Sequence, residues 1–114
     1  ARAAEISAVQ AIVDQETAKF TEWWSQLQIV PTISAITDRA ESIRAAEVAK
    51  TLRRLRLDDE ARTHVEELTD VLTRALVKQL LHAPIATLRE RGDREAFLDT
   101  TRTLFRLDEP VEDA

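Results

Sequence analysis

The sequence predicts an all-α protein: a helical bundle with one long N-terminal connector helix, assembled as a dimer. Strong helix formers (Ala, Leu, Arg and Glu) dominate the composition, whereas one Gly and three Pro leave little material for turns. Apolar residues recur at spacings of three and four along most of the chain. A content of 44% hydrophobic and 32% charged residues over 114 residues is typical of one folded domain.

The first helix is predicted to run from near Arg2 to about Gln28. Its apolar residues follow one stripe: Ile6, Val9, Val13, Phe20, Trp23 and Leu27. At a rise of ~1.5 Å per residue this helix would be roughly 40 Å long, which exceeds the usual length of a globular helix. Because its first half carries mostly small side chains, we expect that half to project from the bundle or to pack against another copy.

A second helix is predicted to begin at Pro31, whose missing N–H costs nothing in a first turn. Two apolar stripes follow, about 100° apart on the helix: Ile33, Ile36, Ala40 and Ile43, then Val48, Leu52 and Leu55. The step between them, near residues 44–47, indicates either a local break or a change of packing partner. Asp58 is the predicted N-cap of the next helix, because Asp59 and Glu60 supply an acidic first turn.

The helix that follows Asp58 is predicted to be the centre of the bundle. One side of it carries an apolar stripe: Val65, Leu68, Val71, Leu72, Ala75, Leu76 and Leu80. Val77 and Leu81 lie on the opposite side, which is otherwise polar. We therefore expect the stripe to fill the core of the chain, and Val77 and Leu81 to meet a second surface.

Pro84 is predicted to kink or end the central helix at the preceding residue. A short helical piece with Ile85 and Leu88 should follow. Gly92 is predicted to lie just beyond the end of that piece, and Asp93 to be the N-cap of the last helix. The last helix then carries Phe97, Leu98, Thr101, Leu104 and Phe105.

The residue inventory argues against most kinds of catalysis. The chain has no cysteine and a single glycine, so it lacks a thiol nucleophile and a Gly-rich phosphate loop. His64 and His82 stand far apart in sequence and belong to no metal-binding motif, and we expect His82 to pack or to cap a helix end. The net charge of −5 argues against general nucleic-acid binding, DNA included. No apolar run approaches the ~20 residues that span a bilayer.

Two surface features have open interpretations. The chain has one basic cluster: Lys50, Arg53, Arg54 and Arg56. A solvated helix end explains it, since cations are favoured near helix C-termini, and an RNA-facing patch is the alternative.

Trp23 and Trp24 point about 100° apart on a helix, so one can enter the core while the other anchors an interface. Burial of both in one core is equally compatible with the sequence.

Specific strings occur in order along the chain: Lys19-Phe20…Trp23, Val30-Pro31-Thr32-Ile33, Ala40-Glu41…Ile43-Arg44, Leu76-Val77-Lys78-Gln79-Leu80-Leu81-His82-Ala83-Pro84, Gly92-Asp93 and Leu104-Phe105-Arg106-Leu107. Together they resemble the C-terminal dimerisation domain of glutamyl-tRNA reductase over nearly the whole chain. The sequence departs from that family at Lys78-Gln79, where Asn-Lys is commoner, at Trp24, where a smaller aliphatic is usual, and at Arg106, where Gly is frequent. We expect these departures to alter a surface rather than the fold.

The resemblance implies a cytoplasmic parent enzyme, an oxidoreductase that reduces glutamyl-tRNA to glutamate-1-semialdehyde with NADPH in the first committed step of tetrapyrrole (haem) biosynthesis. It also implies that the thioester-forming cysteine and the NADPH site lie in other domains, and that the parent binds glutamyl-tRNA and the downstream aminomutase. Because residue 1 is Ala rather than Met, we expect a segment of a longer protein. This segment alone is expected to be inactive, with no catalytic, cofactor-binding or metal-binding residue.

In terms of the resemblance, residues 1–28 form the end of the connector helix, residues 29–107 the dimerisation domain, and residues 108–114 a disordered acidic tail. The predicted dimer interface combines two helices: Ile6, Val9, Val13, Trp24, Val77, Leu81, Ile85 and Leu88. Leu81→Asp is accordingly predicted to weaken association and to leave helix content largely unchanged. Two alternatives are a self-contained adaptor that binds another protein through Val77 and Leu81, and a module that contacts tRNA through Lys50–Arg56.

Overall fold

A computed structural model describes residues 2–110. Within this part of the chain, α1 spans Arg2–Arg54, α2 spans Asp59–Arg91 and α3 spans Glu95–Leu104, with no strand. The predicted all-α class is therefore confirmed. α1 and α2 form an antiparallel hairpin, and α3 packs back against α1.

The chain is far more extended than a closed domain of its size. It measures 86 × 23 × 16 Å and has a radius of gyration of 22.4 Å, whereas a compact domain of similar length has about 13 Å. Its accessible surface is 9051 Å², roughly 2,700 Å² more than a compact monomer of the same mass would expose. The first part of α1 contributes to this excess, because every residue from 2 to 20 is exposed and projects from the bundle, as predicted.

α1 passes through Pro31 without a break, so the predicted helix end near Gln28 and the new start at Pro31 are wrong. An interior proline removes one backbone hydrogen bond and crowds the preceding turn, at a cost of ~3 kcal/mol in a helix. Here Ser25, Thr32 and Ile36, on both sides of the proline, are buried against the rest of the bundle. Packing on both sides offsets the lost bond and keeps one helix.

The two apolar stripes predicted for the middle of the chain are one continuous row on α1. Its members are spaced four residues apart and are buried or half-buried: Thr32, Ile36, Ala40, Arg44, Val48 and Leu52. Because each step of four residues advances about 40° beyond a full turn, the row winds slowly around the helix. The step near residues 44–47 therefore reflects packing within an unbroken helix. Arg44 hides the row in the sequence, because a charged residue occupies a core position.

α2 begins where the sequence predicts. Asp58 has an extended backbone (φ −68°, ψ 171°), and its carboxylate Oδ1 accepts a hydrogen bond from the Ala61 N–H at 2.8 Å. Asp59 and Glu60 occupy the first turn, where negative charge is favoured by the helix dipole. The predicted N-cap is confirmed, because the signal that creates it is contained within one turn of chain.

α2 does not end at Pro84, and the prediction that it would end at the preceding residue is wrong. The helix continues to Arg91 and carries Ile85 and Leu88 itself, so no separate short helix exists there. Leu88 is 1% exposed and packs among side chains from α1 and α3. Burial one turn beyond the proline stabilises the continuation of the helix more than the missing N–H destabilises it.

The turn between α2 and α3 requires glycine because of a close approach, not because of a left-handed backbone. Gly92 is the C-cap of α2 with φ −70°, and its N–H donates to the Leu88 carbonyl at 2.7 Å. A Cβ at this position would lie 2.6 Å from Cγ1 of Ile29 and would also collide with the Leu88 carbonyl oxygen. The predicted N-cap at Asp93 is wrong: α3 is preceded by Arg94, which makes no side-chain capping bond.

A small core joins the three helices. Ile36 of α1, Leu88 of α2 and Leu98 of α3 are each at most 4% exposed and contact one another. Partly buried side chains surround them: Ile33, Leu81, Phe97, Phe105 and Leu107. This core lies about two thirds of the way along α1 and at the far end of α2 from the hairpin turn. Val48 and Leu52 are buried near the hairpin turn as well, whereas the N-terminal part of α1 has no comparable burial.

The start of the predicted acidic tail contacts the bundle. Asp108 forms an ion pair with Arg102, and the Glu109 carbonyl accepts a hydrogen bond from Nη1 of Arg39 at 3.2 Å. The Arg102 guanidinium holds the pKa of the Asp108 carboxyl below its usual value. The remainder of the tail predicted to be disordered, residues 111–114, lies outside the described residues.

Candidate functional site

The leucines that the sequence assigns to the core are exposed, and that prediction is wrong. They form a row on α2, here termed the leucine face: Leu68, Leu72, Leu76 and Leu80. Their exposed fractions are 56, 59, 53 and 75%. The reason lies in the placement of the neighbouring helices, because α1 and α3 pack on another side of α2, where Leu81 and Leu88 point inward.

A groove of about 550 Å³ lies beside the leucine face, bounded by α1, α2 and the end of α3. Its apolar walls come from all three helices, and we term it the leucine groove: Ile36, Ala40, Ile43, Leu76, Leu80 and Leu104. Ile43 and Leu104 at its rim are 48 and 75% exposed. Because Leu76 and Leu80 belong to both features, the leucine face and the leucine groove form one continuous apolar surface. Exposed apolar patches of this kind mark interaction sites.

A polar network separates this surface from the other side of the hairpin. The Arg44 side chain is 5% exposed. Its Nε and Nη2 donate to the two carboxylate oxygens of Glu41 at 2.7 and 2.5 Å, and its Nη1 donates to Asp70 Oδ1 at 2.9 Å and to Thr73 Oγ1 at 3.2 Å. Such a fork of charge-assisted hydrogen bonds has strict geometry. It therefore fixes how α1 and α2 lie along each other, a role that the sequence alone did not reveal.

The same network sets the protonation of its members. The hydrogen bonds from Arg44 lower the pKa of the Glu41 carboxyl, and the nearby charge of Arg74 acts in the same direction. Hydrogen bonds to Glu41 and Asp70 raise the pKa of the Arg44 guanidinium. Arg44 therefore stays charged, and it favours the charged form of the Glu41 carboxyl.

The residues predicted for the dimer interface fall into two groups. Four lie on α1 and are at least half exposed: Ile6, Val9, Val13 and Trp24. The other four lie on α2 and face the rest of the chain: Val77, Leu81 and Ile85 are half-buried, and Leu88 is buried. Leu88 and Leu81 take part in the core cluster or pack against it. In the single chain the α1 group is therefore open to a partner and the α2 group is partly or fully covered; which of these residues meet a second copy stays a prediction.

The other singled-out residues lie at the surface or take no part in a site. Arg53 and Arg54 finish α1, and Arg56 lies in the turn, all three exposed, while Lys50 is half-buried. Both tryptophans are about half exposed, so neither enters the core of the single chain, and the Phe20 ring lies 5.8 Å from that of Trp23. His82 is exposed within α2 rather than at its end. Among residues 2–110 no group of acidic and histidine side chains has the geometry of a metal site.

One feature that sequence reasoning missed is a second groove, of about 350 Å³, on the other side of Arg44. Arg44, Val77 and Leu81 line both grooves and so form the partition between them. Basic side chains from α2 edge the second groove, namely the cations Arg74, Lys78 and Arg89 together with the imidazole of His82. Their spacing of four, four and seven residues places them on one face of a helix, a signal that was present in the sequence.

In the described part of the chain, no helix combines the length and apolar content that a membrane span requires.

The fold and its surfaces define a class of protein: a helical domain that buries a small core of its own and leaves a continuous apolar surface exposed. A family model described as the glutamyl-tRNAGlu reductase dimerisation domain matches residues 8–107. The chain belongs to this family, and it is a dimerisation domain of the glutamyl-tRNA reductase type. The resemblance inferred from the sequence is confirmed.

Curated relatives agree with this assignment. The chain is 41% identical over 108 residues to the glutamyl-tRNA reductase of Roseiflexus castenholzii, covering 95% of this chain and 25% of that protein. It is 36% identical over 107 residues to that of Herpetosiphon aurantiacus, with 94 and 25% covered. For the Syntrophobacter fumaroxidans protein the identity is 40% over 110 residues, with 93 and 23% covered. The chain thus spans about a quarter of the length of these relatives. No solved structure matches it at a significant level.

Proposed function

We propose that this chain joins two copies of a glutamyl-tRNA reductase into a homodimer, and that the contact is the leucine face of α2 with the adjoining leucine groove. One observation carries the proposal: four leucines in a row on α2 are 53 to 75% exposed in a chain whose family is a dimerisation domain. A second copy related by a two-fold axis can cover this surface with the same surface of its own.

The size of the exposed surface supports this contact. A stable interface buries about 800 Å² on each partner, and the chain exposes roughly 2,700 Å² beyond a compact monomer. Full burial of a leucine is worth roughly 1.5–3 kcal/mol, and the leucine face offers four of them, flanked by Ile43 and Leu104. The projecting half of α1 supplies further exposed aliphatic residues. It stays a second predicted surface at which two copies meet.

We further propose that the parent protein reduces glutamyl-tRNA to glutamate-1-semialdehyde with NADPH in the cytoplasm, for tetrapyrrole synthesis. The relatives, which are glutamyl-tRNA reductases, support this activity. This chain has no cysteine and one glycine, so the thiol and the NADPH site of such an enzyme would belong to other segments of the parent. The role of this chain in the enzyme would be to hold two subunits together. Glutamyl-tRNA and the aminomutase stay predicted partners of the parent protein.

The dimer contact is tested by charging the leucine face. Leu80→Asp should weaken self-association by about a hundredfold or more, because it places a charge where an apolar side chain is buried between copies. Helix content should persist, since Leu80 is 75% exposed in the single chain. Sedimentation equilibrium gives the association constant, and far-UV circular dichroism on the same samples gives the helix content.

Lys78→Asp is the control, because it also introduces a carboxylate on an exposed position of the same helix outside the leucine face; it changes the net charge by about −2 rather than −1, so it perturbs the charge more than Leu80→Asp does. It should leave self-association nearly unchanged. A monomeric wild-type chain would refute the dimer. A Leu80→Asp chain that associates as tightly as the Lys78→Asp chain would show that the copies meet elsewhere.

A further inference from the structure

α2 has a third face that neither the bundle nor the proposed dimer contact uses. α1 covers one side of α2, and the leucine face forms the next. On the remaining side three exposed cationic residues, Arg74, Lys78 and Arg89, and the exposed His82 lie within about 80° of one another on the helix. They edge the groove of about 350 Å³ between α1 and α2, here termed the basic groove. This groove is separated from the leucine groove by Arg44, Val77 and Leu81.

The positive charge of the basic groove is not neutralised from within. Arg74, Lys78 and Arg89 form no ion pair with any residue in the range 2–110. Glu41 is the one acid among the side chains that line the groove, and both of its carboxylate oxygens are held by Arg44. The whole chain carries a net charge of −5, so this concentration of positive charge runs against its overall balance.

The floor of the groove is apolar. Val77, Leu81 and Ile85 are half-buried and lie between the cationic edge of α2 and the wall formed by α1. From Arg74 to Arg89 the edge extends about 22 Å along the helix axis, which is about four helical turns. A ligand that fits must therefore be elongated, carry negative charge along one edge, and present aliphatic groups to the floor.

We propose that the basic groove docks an acidic amphipathic helix of another protein. In such a helix, carboxylates spaced four residues apart face Arg74, Lys78 and Arg89, and aliphatic side chains one turn apart pack on Val77, Leu81 and Ile85. Charge complementarity selects the acidic partner. The aliphatic floor selects protein over a nucleic-acid backbone, because phosphates and sugars gain nothing from it. The site is separate from the leucine face, so the proposal goes beyond dimerisation.

The test uses the 114-residue chain and a synthetic probe: a fluorescein-labelled helical peptide of about 16 residues with Glu and Leu on adjacent stripes at spacings of four. Fluorescence anisotropy at low salt, where such charge pairs are least screened, should show saturable binding. The double variant Arg74→Gln, Lys78→Gln should raise the dissociation constant roughly five- to tenfold. Ile85→Ser should raise it as well, because it removes part of the floor.

Three controls make the outcome decisive. Arg53→Gln, Arg54→Gln removes the same charge from the end of α1 and should change binding by less than about twofold. A peptide of the same composition in scrambled order should bind more weakly than the ordered one. A single-stranded RNA of matched charge should also bind more weakly than the ordered peptide.

Four outcomes would each overturn the proposal. Peptide affinity could fall equally in the two double variants, the scrambled peptide could bind as tightly as the ordered one, the RNA could bind more tightly than the peptide, or the peptide could fail to bind. Sedimentation equilibrium on the same samples separates it from the proposed dimer contact. A dimer that dissociates in Arg74→Gln, Lys78→Gln would place the basic groove inside the subunit interface and would overturn docking. A wild-type monomer that binds the peptide would refute the dimer while supporting this site.

Discussion

Leu80 and Leu81 are neighbours in sequence on α2, yet they have opposite environments. Leu80 is 75% exposed on the leucine face, whereas Leu81 packs against the core that joins the three helices. The leucine face is the more hydrophobic of the two sides, since the contact with α1 includes the charged groups Arg44 and Asp70. The chain thus covers the more polar side of its central helix by itself and leaves the more apolar side open. The hydrophobicity of a face indicates that it will be covered, but not which chain will cover it.

The polar composition of the α1–α2 contact has a structural consequence. Aliphatic side chains alone can slide past one another with little change in buried area, whereas the Arg44 network requires Glu41, Asp70 and Thr73 at fixed positions. A buried polar group is best attested as a device that fixes register. We infer that this network determines how the hairpin aligns, and hence that the leucine face and the leucine groove form one surface.

The largest expected effect comes from charging the covered side. Leu81→Asp should lower the free energy of unfolding by about 3 kcal/mol or more, because it loses apolar packing and places a carboxylate against the core. The sequence by itself predicts that Leu81→Asp weakens association and leaves helix content largely unchanged; the packing of Leu81 against the core adds a cost in folding stability. Urea denaturation followed by circular dichroism, compared with Leu80→Asp, provides the test. If the two variants lose helix content equally, the contrast between the two sides is refuted.

An intermediate effect is expected from removing the network. Arg44→Met should lower the melting temperature by roughly 5–10 °C at neutral pH, because Glu41 and Asp70 lose their partner. Differential scanning calorimetry at fixed chain concentration measures the change. If Arg44→Met melts at the wild-type temperature and self-associates as tightly as the wild type, the network does not determine how α1 and α2 align.

The pH dependence of the same variant sharpens this prediction. Arg44 holds the pKa of Glu41 below its ordinary value of 4.5, so the pair stabilises the fold above that pH, and its contribution is lost as the pH falls through the lowered pKa. The stability difference between wild type and Arg44→Met should therefore shrink on acidification below pH 4.5. Denaturation series at neutral and acid pH would show it, and a constant difference would contradict it.

The smallest effect is expected on the projecting half of α1. Val9 is 60% exposed and lies in a stretch of α1 where every residue from 2 to 20 is exposed, so Val9→Ser should change the free energy of unfolding by less than about 0.5 kcal/mol. Under the proposed contact it should also leave self-association nearly unchanged. Sedimentation equilibrium distinguishes the two candidate surfaces: a strong loss of association in Val9→Ser would favour the α1 interface predicted from the sequence.

The features that the sequence predicted correctly depend on short-range signals. Helix class follows from composition, the start of α2 follows from Asp58 and its acidic first turn, and the family follows from strings of a few residues in order. Each of these signals acts within about one turn of helix, so no knowledge of the packing is needed to interpret it. The same holds for the cationic row on α2, whose spacing was visible although its groove was not.

The tertiary structure alone decided the features that depend on packing between segments distant in sequence. Pro31 and Pro84 remain inside helices because burial outweighs one lost backbone bond: side chains are buried on both sides of Pro31, and Leu88 is buried one turn beyond Pro84. Arg44 occupies a core position because Asp70 and Thr73 of α2, which are remote in sequence, accept hydrogen bonds from its guanidinium. The leucine face is open because α1 and α3 come to lie on another side of α2. By itself the sequence determined that these residues form helices and that the leucines lie on one stripe; the relative placement of the helices, which depends on contacts between remote positions, decided that this chain leaves them exposed.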